Sequence, residues 1–138
     1  MALSTTSPDL VNAVATSAIR EEVLRDPRYP VHRIADRLLP YLRVLVEQFQ
    51  PEQVILFGSY AYGQPDVSSD VDLLVVMGLA STPVKERLKI REAWRPLHQR
   101  HGYLSLHLLL ESPESHVYRL RHAAGFYDHI NRDGVRLA

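Results

Sequence analysis

Two short apolar runs rich in β-forming residues, 54–57 and 71–77, stand out in a chain largely patterned for amphipathic helices. Runs this short are strand-sized, and so few strands need helices laid over them to bury a core. The residues between them, 58–69, carry glycine, proline, aspartate and serine, the composition of a loop. Two aspartates follow at the head of the second run, Asp70 and Asp72, with only Val71 between them. Alternate residues of a strand point to the same face, so both carboxylates are expected on one side of the sheet. Two unpaired neighbouring carboxylates repel each other, which calls for a positive group between them.

The rest of the chain supplies the helices. Ser7 followed by Pro8 has the form of a cap with proline at the first helical position, and predicts a helix to about Arg25. Val31, Ile34, Leu38, Leu42, Leu45 and Phe49 recur at helical spacing, with Pro40 expected to kink or split the helix and Pro51 to follow its end. Thr82-Pro83 opens a third helix with Leu88, Ile90, Ala93, Trp94 and Leu97 as candidate core positions, bent at Pro96 and closed by Gly102. Residues 103–110 form a third strand, and Ser112-Pro113 starts a fourth helix. A last helical segment, 126–132, should end at Gly134 as a left-handed cap. The order α, α, β, β, α, β, α predicts an α/β (α+β) protein: a small mixed β-sheet with helices packed on it. It divides into an N-terminal helical extension over 1–30 and a second unit over 31–138.

Composition narrows the function classes. Sixteen basic and sixteen acidic residues cancel, so no net charge draws the chain to nucleic acid or to a membrane surface. No cysteine is present, which removes disulfides and thiolate metal sites. No apolar run is long enough to span a bilayer, and the N-terminus lacks a basic start followed by an apolar block. The expected location is the cytoplasm.

The chemistry concentrates around Asp70 and Asp72. Paired carboxylates are hard oxygen donors suited to Mg²⁺ or Mn²⁺, and magnesium commonly binds one or two carboxylates together with substrate phosphates. Gly58-Ser59 supplies a complementary turn: glycine allows close backbone approach, and a helix beginning at Ser59 would direct N–H groups and a hydroxyl at a phosphate. Lys85, Arg87, Lys89 and Arg91 read as a solvated helix face, with one of them reaching a phosphate as the sharper alternative. Tyr60 and Tyr62 read as packing residues rather than stacking platforms, and His98, His101, His116, His122 and His129 as surface residues.

The combination Gly58-Ser59, Ala61, Gly63 and Ser69-Asp70-Val71-Asp72-Leu73 resembles the nucleotidyltransferase signature of the DNA polymerase beta superfamily, in particular the minimal nucleotidyltransferases of bacteria and archaea. The tail FYDHINRDGVRLA is similar to the end of that family, and the resemblance covers roughly residues 31–138. It implies a nucleotidyltransferase fold, with Gly58, Ser59 and Ser69 at the nucleotide, Asp70 and Asp72 on divalent metal, and ATP as nucleotide donor. A hydroxyl attacks the α-phosphate in line and pyrophosphate leaves, with two metals on the attacking and leaving oxygens. The family's third carboxylate belongs on the third strand, where this sequence has His107. Ser105, Leu109 and Glu111 share its parity, but Ser105 and Leu109 cannot replace a carboxylate and Glu111 lies past the run. His107 is therefore a candidate general base or a packing residue.

Three functions follow as expectations. The first is transfer of AMP to a protein hydroxyl, as in antitoxin partners of HEPN-domain proteins. The second is a nucleotide-binding module that has lost transfer and masks a partner. The third is a small-molecule nucleotidyltransferase like those that modify aminoglycosides, a fainter likeness because such enzymes usually carry a further substrate domain. A nucleoside triphosphate and a protein partner are the expected ligands, within a homo- or hetero-oligomer left open.

Overall fold

The computed structural model describes residues 18–122 and 125–138. Four strands form one mixed sheet in the order β3-β2-β1-β4: β1 Gln53–Phe57, β2 Val71–Val76, β3 Leu106–Glu111 and β4 Val135–Arg136. β1 runs antiparallel to both β2 and β4, whereas β2 and β3 are parallel. A parallel pair requires a crossover, and the helix Pro83–His101 supplies it. β2 is thus a central strand, and five of its six residues are buried, as its unbroken apolar character predicts.

Six α-helices accompany the sheet among the described residues: α1 Glu21–Leu24, α2 Ala35–Val44, α3 Ser59–Tyr62, α4 Pro83–His101, α5 Pro113–His122 and α6 Phe126–Asp133. The expected first helix is visible only as α1; its cap at Ser7-Pro8 lies outside the described residues. The described part of the N-terminal extension joins the main core. Leu24 is fully buried in it, and the Arg20 N–H donates to the Leu137 carbonyl at 2.7 Å.

The second predicted helix divides differently from expectation. It opens as a 3-10 segment, Pro30–Ile34, continues as α2, and closes in a π-helical turn, Leu45–Phe49, before a left-handed Gln50. Pro40 does not split it. The proline forfeits one backbone bond, while Leu38, Leu39, Tyr41 and Leu42 around it are all buried and hold the helix in place. Pro96 likewise lies inside a continuous α4, whose ends match the sequence signals. Thr82 Oγ1 accepts from the Lys85 N–H, and Gly102 leaves the helix at φ +83°.

The two faces of the sheet have different covers. Val54, Leu56, Leu73, Val75, Leu106 and Leu108 join α2 and α4 in the main core. Trp94 fills its centre, its indole N–H donating to the Tyr41 carbonyl at 3.1 Å and its ring set edge-on to Tyr41. Leu88, a predicted core position, is 62% exposed instead, because Ile90, Trp94 and Leu97 already form the buried stripe of α4. The opposite face carries a smaller cluster of Phe57, Leu74, Val76 and Ile130, with α6 supplying Ile130.

Gly134 is not a left-handed cap, having φ −66°. It is small for a different reason. A Cβ there would stand 2.4 Å from the Ile130 carbonyl oxygen and 2.8 Å from the Ile55 side chain, so the glycine lets α6 hand the chain directly to β4. Among the described residues, no helix is long and apolar enough to cross a membrane.

Candidate active site

β1 and β2 deliver the Gly-Ser turn and the aspartates to the same end of the sheet. Phe57, the last residue of β1, pairs with Asp72 of β2, so Gly58 follows immediately beside that aspartate. Gly58 has φ +77° and ψ −161°, a region nearly restricted to glycine. A Cβ on it would lie 2.1 Å from Asp72 Oδ2, so both its dihedrals and its missing side chain are needed for this approach. Ser59 starts α3, as the sequence suggested, and its carbonyl accepts from the Gly63 N–H at 2.9 Å. Gly63 is tight against Ser59, with room for no Cβ: one would stand 2.9 Å from Ser59 Cα.

The expected sharing of a face by Asp70 and Asp72 has a direct counterpart across the parallel pair. Asp72 is in register with His107, and His107 Nδ1 lies 2.9 Å from Asp72 Oδ1. Two residues earlier in each segment, just before β2 and β3 begin, the Ser105 hydroxyl donates to Asp70 Oδ1, and the Val71 N–H donates to the Ser105 carbonyl at 2.9 Å. Each carboxylate therefore has one partner from the neighbouring strand. The sequence placed Ser105 on the right face by parity, but a role as partner to Asp70 depends on the β2–β3 register. That register is a tertiary property.

His107 stands where the third carboxylate was expected. Its side chain is 53% exposed and its ring meets Phe57 edge-on, with centroids 6.4 Å apart. A carboxylate oxygen accepts, so Nδ1 is the donor in this contact and Nε2 is directed away from Asp72. Glu111 cannot fill the place of the missing acid. It pairs in register with Val76 at the far end of the strands, is 5% exposed, and is bound by Arg119 and by His116 Nδ1 at 3.3 Å. His116, expected on the surface, is buried against it.

The remaining candidates serve the surroundings. Ser69 Oγ accepts from the Asp66 N–H at 2.9 Å, and Asp66 in turn accepts from the backbone and hydroxyl of Ser68. These bonds hold the Asp66 carboxyl below its ordinary range and fix the turn that leads into Asp70. Tyr60 packs against the main core, and Tyr62 meets the His129 ring edge-on at 4.6 Å, so both behave as packing residues. In the basic run, Lys89 pairs with Glu86 at 3.0 Å and Arg91 donates to the Leu106 carbonyl at 3.1 Å. A cavity of about 390 Å³ borders Ser69 and Ser105, with Tyr60, Tyr103 and Arg37 on its walls.

A four-stranded mixed sheet with helices on it, and an aspartate of the central strand set against a Gly-Ser turn, defines an α+β fold of the nucleotidyltransferase type. A family model for the nucleotidyltransferase domain matches residues 40–124, and the chain belongs to that family. The matched span includes the Gly-Ser turn, both aspartates and β3. No curated protein matches the chain.

Proposed function

We propose that the chain transfers a nucleotide, AMP from ATP, to a hydroxyl acceptor, with Mg²⁺ or Mn²⁺ held by Asp70 and Asp72. The observation that carries this is the close approach of Asp72 to the Gly58-Ser59 turn, with Asp70 two residues before it in the chain. Hard carboxylate oxygens next to a close-approach glycine are a donor set that suits a divalent ion bearing phosphates. Such an ion would neutralise phosphate charge and polarise the α-phosphorus centre.

The chain's own groups have defined tasks in this scheme. Gly58 and Ser59 hold the phosphates close to the backbone. Asp72 fixes the His107 ring through Nδ1, leaving Nε2 to take the proton of the attacking hydroxyl. The acceptor oxygen bonds to the α-phosphorus as the bond to the bridging oxygen breaks, and pyrophosphate departs with that electron pair. The cavity bordered by Ser69 and Ser105 is the place this scheme assigns to the acceptor, since Ser105 is the residue bonded to Asp70. The family resemblance suggests that this acceptor lies on a HEPN-domain protein in a toxin–antitoxin pair.

A second reading rests on His107 itself. With an imidazole in place of the third acid, the site could bind nucleotide and mask a partner without transfer. Incubation with α-labelled ATP, Mg²⁺ and the candidate partner separates the two. Label on the partner, lost in Asp70→Asn, supports transfer. ATP binding with no label on any acceptor supports the masking module.

A further inference from the structure

The face of the sheet that carries Asp72 continues beyond it. Leu74 is the next residue of β2 on that face, and Ile55 pairs with Leu74 as Phe57 pairs with Asp72. Leu74 and Ile55, together with Ile130 of α6, form the apolar floor of a cavity of about 220 Å³. Two residues of strand place that floor roughly 7 Å from Asp72. The volume is below the roughly 300–1,000 Å³ of a cleft that encloses a whole small-molecule ligand, so the cavity suits one ring system of a larger molecule.

The rim is polar and planar. Gln53 and Asn131 bring side-chain amides, each with donors and an acceptor. Arg119 lies over the Tyr127 ring at 4.5 Å and is anchored by the buried Glu111. Arg136 is committed to the carbonyls of Ala138 and Glu52. Both guanidinium groups already have oxygen partners, which favours an uncharged planar guest over a second anion. A side-chain amide offers the donor and acceptor that match the hydrogen-bonding edge of adenine.

We propose that this cavity receives the nucleobase of the donor nucleotide, whose phosphates lie at Gly58-Ser59. The assignment rests on the nucleotidyltransferase reading of Asp70 and Asp72. It gives the sheet face a direction: base beneath α6, phosphates at the aspartates, acceptor from the Ser105 side.

The test is calorimetric titration of the full chain with ATP and with inorganic tripolyphosphate, each with Mg²⁺. Wild type should bind ATP about tenfold or more tightly than tripolyphosphate. Asn131→Trp and Gln53→Trp, which plug the rim from α6 and from β1, should remove that advantage and leave tripolyphosphate binding unchanged. Equal wild-type affinity for the two ligands keeps the phosphate site and overturns the base cavity, and needs no variant. Folded plugged variants that bind ATP as wild type does also overturn it. If wild type binds neither ligand, the nucleotidyltransferase reading fails and this assignment fails with it.

Discussion

Asp72 Oδ1 and His107 Nδ1 stand 2.9 Å apart across register-paired residues of β2 and β3. The contact ties the residue that departs from the family pattern to a residue that keeps it. It orients the imidazole so that its second nitrogen faces away from the carboxylate, as a base needs.

If His107 takes the acceptor proton, His107→Ala should lower the single-turnover rate by about 10²–10⁴ while leaving ATP affinity close to wild type. If transfer has been lost, wild type turns over with no acceptor, and His107→Asp should restore some activity by rebuilding three acids. An active wild type whose rate is indifferent to His107→Ala would assign the ring to packing against Phe57.

Gly58→Ala tests the close approach. The backbone there is in a glycine-only region, and the new methyl would meet Asp72 Oδ2. Strain of this kind costs about 1–3 kcal/mol, read as a lowered denaturation midpoint. Mg²⁺-dependent ATP binding should fall further than the stability loss explains, since the carboxylate must move. Unaltered stability and binding would contradict the geometry of the turn.

His98 predicts a pH dependence away from the site. Its Nδ1 lies 3.0 Å from the Tyr41 hydroxyl and accepts from the Leu104 N–H at 3.3 Å. An N–H can only donate, so the ring is neutral in the fold. Burial, with Arg91 adding to it, lowers the His98 pKa from its ordinary 6.5. The unfolded chain therefore takes up this proton at a higher pH than the folded one. The contribution is complete above 6.5 and is lost as pH falls toward the lowered folded value. Urea midpoints between about pH 5 and 8 should slope less in His98→Gln than in wild type; parallel curves would remove His98 as the cause.

Much of this was legible in the sequence because it is local. The apolar run from Val71 marked β2, and Thr82-Pro83 and Gly102 marked both ends of α4. What escaped depends on contacts between distant segments. β4 has only two residues, too few to show alternation, and exists because β1 offers it an edge. Gly134 looked like a helix terminator, yet its size is set by Ile55 on another strand. His116 looked like a surface histidine because nothing in its own helix announces the buried Glu111 beside it. Ser105 became a partner of Asp70 only through the β2–β3 register.

In the proposed reaction Asp70 and Asp72 together hold the divalent ion that carries the nucleotide. Titration of ATP into wild type and into the double variant Asp70→Asn, Asp72→Asn, with and without Mg²⁺, tests it directly. Amides keep the shape and much of the hydrogen bonding to Ser105 and His107 but remove both negative charges. Wild type should bind ATP in a Mg²⁺-dependent manner, and the double variant should lose that binding with the fold retained. Mg²⁺-dependent binding of undiminished affinity in the double variant would contradict it.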